Sequence, residues 1–238
     1  MFQSLSRTPH RPIVAGTAIL LLGVICLTAQ AQGTLTTRNG YGNTVSVGLT
    51  GHVPTPFSVF AGDFASYLSG GPAGYPTFFE SYCVDLNAAA NVTTSYAVTE
   101  SSSNSLNRAG QVTWLAENAI YLFASNPGYT LNEQRASLQL AIWNTLYDTD
   151  NTVNTGSFYL DTGPTNEFTL ANLYLTASAT KTAVGVNNKI SDNSGHAYQT
   201  LIAAGTPEPG AIAYLSILTG GCLSVLGRRY GKSGSRRR

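Results

Sequence analysis

Of the three cysteines in this 238-residue chain, Cys26 and Cys222 fall in apolar terminal runs, so the stretch from Gln32 to Thr206 keeps Cys83 alone. No intramolecular disulfide is open to that stretch, and an unpaired thiol there is either a liability or a tool. Histidine is almost as scarce. His52 and His196 stand in unrelated contexts, too few for a zinc site or a His-based triad. Basic residues are few as well: Arg38, Arg108, Arg135, Lys181 and Lys189 stand against eleven Asp and Glu over 32–206, a net charge of −6. With no basic patch to neutralise phosphates, the composition argues against a nucleic-acid partner. No Gly-rich phosphate loop follows a strand and opens a helix, and nothing calls for a cofactor or a metal. Acids such as Asp63 and Glu117 would serve a secreted hydrolase, but spacing singles out no pair.

Apolar runs and basic residues are concentrated instead at the two ends. Met1 to Pro12 carry Arg7, His10 and Arg11 and no acid, then Ile13 to Leu27 is apolar, and Ala29-Gln30-Ala31 follows. A charged segment, an apolar segment and a small-x-small site predict a secretory signal peptide over 1–31, leaving an exported domain over 32–206. At the other end, Pro207-Glu208-Pro209-Gly210 forbids a helix before Gly210, and Ala211 to Leu226 is apolar. Arg228, Arg229, Lys232, Arg236, Arg237 and Arg238 follow. Sixteen apolar residues span a bilayer only marginally, and the basic tail would be held on the cytoplasmic side. The order of motif, apolar helix and arginine cluster over 207–238 resembles the PEP-CTERM sorting signal of Gram-negative bacteria. The resemblance implies export by the secretion machinery, a transient inner-membrane anchor, processing by an exosortase, and a final place at the cell surface or outside it, among exopolysaccharide.

Between these ends the 175 residues suit one domain with a real core. Thr44 to Thr50, Phe57 to Ala61, Phe78 to Leu86 and Thr93 to Thr99 alternate or are β-branched and read as strands. In the third, Phe78, Tyr82, Val84 and Leu86 share one face, which puts Cys83, Ser81 and Asp85 on the other, outside the main apolar layer. Asn107 to Ala124 carries Val112, Leu115, Ala116, Ala119, Ile120 and Phe123 at helical spacing. A second helix opens at Thr130, with Glu133 completing a capping box, and runs to about Asp148 on Ala136, Leu140, Trp143 and Tyr147, widened by Ile142 and Leu146. A shorter helix is expected over Phe168 to Ala179 on Leu170, Leu173, Tyr174 and Ala177, and a last strand over Tyr198 to Ala203. Asp148, Asp150 and Asp161 offer oxygen ligands for calcium, but the spacing matches no EF-hand loop and a solvated acidic turn is the simpler reading. The fold class is therefore α+β, a single domain with a β-rich N-terminal half and a helical hairpin packed on it.

Gln139 lies on the apolar stripe of the second helix, where a buried amide must be hydrogen-bonded or cost a few kcal/mol. A structural amide bonded to a loop is one explanation. Another joins it to the lone cysteine. A thiolate held against a glutamine carboxamide can attack its carbonyl and expel ammonia, leaving an internal thioester, a stored acyl group shielded from water by aromatics such as Trp143, Tyr82 and Phe79.

Tyr82-Cys83-Val84-Asp85 in a strand and Gln139-Leu140-Ala141-Ile142-Trp143 in a helix resemble the two motifs of the bacterial thioester domains of surface adhesins. By that resemblance Cys83 and Gln139 are the bonded pair and Tyr82, Asp85 and Trp143 surround it, while position 138 is Leu where the family often has Thr. The resemblance implies single-turnover covalent capture of an amine on a surface protein, not catalysis. The other reading is a non-covalent structural or polysaccharide-associated surface module, with Cys83 a free thiol.

Overall fold

The computed structural model describes residues 32–70, 77–182 and 189–204. The expected signal peptide, the Pro207-Glu208-Pro209 motif and the apolar and basic tail lie outside them. Among the described residues no helix is long and apolar enough to cross a membrane.

The elements run β1 (Gln32–Leu49), β2 (Phe57–Ser69), β3 (Phe78–Cys83), β4 (Tyr96–Ser101), α1 (Ala109–Glu117), α2 (Ala119–Ala124), α3 (Leu131–Tyr147), β5 (Phe158–Thr162), α4 (Thr165–Ser178), β6 (Lys189–Asp192) and β7 (Leu201–Ala203). The strands form one sheet in the order β2-β3-β7-β6-β4-β1-β5, and β1 also pairs with β2. That extra pairing closes six strands into an antiparallel barrel, with β5 appended to the far half of β1. The result is a mixed domain of strands and helices, richer in strand than the sequence suggests.

Closure explains a reading that the structure corrects. Directly opposed residues share a face, so the register carries one inner face from Cys83 through Leu201, Ile190 and Glu100 to Val98, then through Leu35 and Leu68 back to Phe79. Cys83 thus points into the barrel and is buried in the core, while Phe78, expected to be inside, is 64% exposed. Alternation predicts one wet face, but a strand of a closed barrel under helices has both faces covered.

The helices differ from expectation in the same direction. α3 begins as predicted: Thr130 Oγ1 accepts the Glu133 N–H, and Glu133 Oε2 accepts the Thr130 N–H. Rather than showing an apolar stripe, it is buried on every side from Gln134 to Leu146, because it lies between the barrel and α4. The single helix expected over Asn107 to Ala124 is two. Asn118 breaks it, its side chain donating to the Trp114 carbonyl at 2.9 Å, and Ile120 is turned to solvent at 52% exposure. In α4 the buried set is Leu170, Ala171, Tyr174 and Leu175, so Leu173 and Ala177 face outward.

The long β1–β2 ribbon bends where Gly42 opposes Gly62, with a register shift between Asn39 and Gly42. A Cβ at Gly62 would overlap the Tyr41 carbonyl oxygen, and one at Gly42 the Ala61 carbonyl oxygen, so this approach of two backbones requires glycine on both sides. Gly62→Ala is expected to cost about 1–3 kcal/mol in urea denaturation. Gly128→Ala, where a Cβ meets nothing within 4 Å, is the control and should stay within about 0.5 kcal/mol of the parent.

Candidate functional site

The site lies where the β2–β3 ladder stops, next to the register shift between β1 and β2. The ladder between β2 and β3 ends at Phe64↔Ser81, so Cys83, two residues on, has no strand partner on that side. Its other neighbour is β7, where it opposes Leu201. A buried N–H and C=O left there without partners would cost about 1–3 kcal/mol each. The Gln139 carboxamide fills the gap. Its Oε1 accepts the Cys83 N–H at 2.8 Å and its Nε2 donates to the Cys83 carbonyl at 2.8 Å, so the side chain of α3 stands in for a peptide group of the missing strand. Gln139 is wholly buried, and both of these side-chain hydrogen bonds go to the cysteine 56 residues away.

The sulfur turns toward the chain that follows it. Cys83 Sγ donates to the Asp85 carbonyl at 3.0 Å and accepts the Asp85 N–H at 3.3 Å. Tyr147, two turns beyond Gln139, accepts the Leu86 N–H on its hydroxyl at 3.0 Å and fixes that segment, while the Asp85 carboxylate accepts the Asn87 N–H at 2.9 Å. Burial pushes the Cys83 thiol up to about 12, against the opposing pull of the Asp85 N–H and the Trp143 indole. The indole Nε1 has no hydrogen-bond partner of its own, and the ring is 1% exposed. Tyr82, next in sequence to Cys83, lies on the opposite face of β3 beside Arg135.

Arg135 is the residue that sequence reasoning passed over. It sits one turn before Gln139 and is buried, because its guanidinium spans two strands: Nη1 donates to Asp63 at 2.8 Å and Nη2 to Glu80 at 2.6 Å. Tyr41 and Phe123 flank it, with the charge 5.3 and 5.4 Å from the ring centres. The surrounding Glu80, Tyr82 and Asp63 oxygens hold it charged in spite of its burial. The Asp63 carboxylate is committed to this ion pair, and its burial raises its pKa above the ordinary carboxylate value against the pull of Arg135. The pairing fixes α3 against β2 and β3 at the turn that carries Gln139. The one available signal was its position four residues before Gln139.

A cleft of about 430 Å³ reaches Trp143, one turn after Gln139, and Leu86, three residues after Cys83, without being lined by either member of the pair. Phe57, Phe60 and Phe64 of β2 and the Trp143 ring form its apolar wall, and residues 86–90 lie across from them. Trp143 therefore adjoins both the cleft and the Cys83 sulfur. Asn39, Asn87 and Gln199 bring amides to the cleft, and Gln199 Oε1 is buried with no hydrogen-bond partner.

In the acidic loop after α3, Asp150 and Asp161 are exposed, as a solvated turn requires, and Asp148 is the exception. Asp148 is buried and its carboxylate accepts the Thr149 and Phe158 N–H groups, which hold it below the usual carboxylate range although burial opposes this. Asp150 accepts the Thr152 N–H, and Asp161 accepts the Ser46 hydroxyl. Asp148 and Asp150 thus bond the backbone of their own loop while Asp161 links β5 to β1, and among the described residues no cluster of acids, histidines and cysteines is arranged to hold a metal.

A strand cysteine bonded through its own peptide groups to a buried helix glutamine, with the Trp143 indole beside its sulfur, defines a Cys/Gln pairing domain. The family profile of the thioester domain matches residues 80–206, more than half of the chain, and the chain belongs to that family. No curated protein and no solved structure matches it.

Two outcomes are expected. Arg135→Ala leaves Asp63 buried without its cation and should lower stability by about 3–5 kcal/mol by chemical denaturation, whereas Arg38→Ala, at an exposed position, should change little. A free Cys83 thiol whose folded pKa lies above its unfolded value near 8.5 contributes stability fully present below that value and lost as pH rises toward 12. Protein with the unlinked thiol should therefore lose more stability between pH 9 and pH 11 than Cys83→Ala does, measured as the difference between their urea midpoints. Equal pH profiles would show that the thiol is not held in this way.

Proposed function

We propose that Cys83 and Gln139 form an internal thioester that captures a partner amine covalently, and that this is the protein's role at the cell surface. The observation that carries the reading is the double hydrogen bond between the Gln139 carboxamide and the Cys83 peptide groups, both at 2.8 Å. It fixes the carboxamide beside the residue that would attack it. When Sγ adds to the Gln139 acyl carbon, negative charge develops on Oε1, and the Cys83 N–H already donates to that oxygen. The thiol proton passes to Nε2, the C–N bond breaks, ammonia leaves, and a C–S bond remains. The family's usual Thr at 138 is here a buried Leu, so the cysteine backbone does the orienting.

The same features favour storage. Burial disfavours the thiolate, which makes the sulfur a poor leaving group, and Trp143 and Phe158 keep water away. An amine that reaches the acyl carbon displaces the sulfur and is left in an amide. Each molecule reacts once, so this is capture rather than turnover. In this reading residues 1–31 direct export, residues 207–238 direct sorting by an exosortase after a transient membrane stage, and the domain works at the surface or in the extracellular matrix.

One observation also favours a second reading: the double hydrogen bond by itself satisfies a buried glutamine, which suits a structural or polysaccharide-associated module with no covalent chemistry. Intact mass separates the two. Purified protein lighter than calculated by one ammonia, with the full calculated mass in Cys83→Ala, is the expected result. Gln139→Ala should also lose the deficit and the ability to form adducts with methylamine. The full calculated mass together with a thiol titratable after denaturation would leave the structural module as the function.

A further inference from the structure

We infer that the cleft beside Trp143 is an acceptor subsite for a carbohydrate, and that the amine captured here is carried on an amino sugar rather than on a lysine side chain. This rests on the thioester reading above and names the class of its partner. The first ground is charge. Among the described residues no Asp, Glu, Lys or Arg lines the cleft, and Asp85, the acid nearest the sulfur in sequence, is not among its walls. A lysine ammonium entering would be desolvated with no carboxylate to receive it. The amine of a hexosamine, beside electron-withdrawing ring hydroxyls, gives up its proton more readily than lysine and can enter uncharged.

The second ground is the character of the walls. Phe57 and Phe60 are only half-buried, and His52 stacks on Phe57 with ring centres 3.9 Å apart. Together with Phe64, whose ring is tilted 60° to that of Phe60, they offer apolar ring surface to the C–H groups of a pyranose, next to amides of Asn39 and Asn87 that both donate and accept. Gln199 adds a buried acceptor without a donor, which a sugar hydroxyl supplies. A volume of about 430 Å³ falls within the usual range of small-ligand sites, about 300–1,000 Å³. The third ground is place, since Trp143 lines the cleft and also lies within reach of the Cys83 sulfur. The step balances: the amine nitrogen adds to the Gln139 acyl carbon, the C–S bond breaks, and the amine proton goes to the departing sulfur, leaving an amide and the Cys83 thiol.

The test is a competition. Purified protein whose mass deficit shows the thioester is incubated with equal concentrations of glucosamine and Nα-acetyl-lysine amide at pH 7.5 and the adducts are followed by intact mass. The glucosamine adduct should form at least about ten times faster. Ala89→Trp, which fills the cleft from an exposed position away from Cys83 and Gln139, should bring the two rates together while the mass deficit persists. A faster or equal lysine adduct in the parent protein, or a preference untouched by Ala89→Trp, would overturn the inference while leaving the thioester standing. As an independent measurement, Cys83→Ala, which cannot form the bond, should bind a glucosamine trisaccharide saturably in calorimetry and lose that binding with Ala89→Trp. Absence of binding would overturn the inference whether or not the parent protein carries the thioester.

Discussion

Where β3 parts from β2, one side-chain amide takes the place of a strand, and much of the architecture serves that exchange. Two glycines bring β1 and β2 into contact closely enough to bend the ribbon. Next to that bend the β2–β3 ladder stops, two residues short of Cys83. A helix buried on every side then supplies the Gln139 amide at the height of the gap, and an arginine one turn earlier anchors that helix to both strands. Remove any one of these and the peptide groups of Cys83 have nothing to pair with. Because a buried N–H without a partner is expensive, the glutamine is held more tightly than packing alone would hold it.

This arrangement also sets the electrostatics of the pair. The sulfur is surrounded by backbone and indole rather than by cations, so its burial is offset only in part and the thiol stays protonated. Positive charge nearby is committed to Asp63 and Glu80 on the other face of β3. The site thus holds the Gln139 amide on the cysteine's peptide groups while keeping the sulfur an unwilling anion. That suits a bond meant to persist more than one meant to turn over.

How much was legible in the sequence depended on range. α3 was readable to within a residue or two at each end because its signals are local: Thr130 and Glu133 cap it and its apolar residues recur at helical spacing. Gln139 stood out as a polar residue among apolar ones, and Cys83 by elimination. What escaped notice depends on closure. The first half of β1 runs through Arg38-Asn39-Gly40-Tyr41-Gly42-Asn43, which reads as a turn and is a strand only because β2 lies against it. β5 and β6 were missed, and β7 was expected three residues too early, since short strands owe their existence to neighbours. Alternation placed Cys83 on the correct face of β3 but could not say that this face is the inside of a barrel. Arg135 reads as a surface charge until Asp63 and Glu80, far away in sequence, arrive beside it.

The order of strands has a mechanical side. β7, the last strand described, is three residues long and is wedged between β3 and β6, with Leu201 directly opposite Cys83. Tension applied to the chain after Ala204 therefore enters the domain next to the cysteine, in shear along a short antiparallel junction. A load borne by Gln139 would enter through α3 and reach the same cysteine from the opposite side. Between these two points of traction lies one residue of one strand, so a pull from both ends would be felt across a few hydrogen bonds while most of the barrel carried none of it.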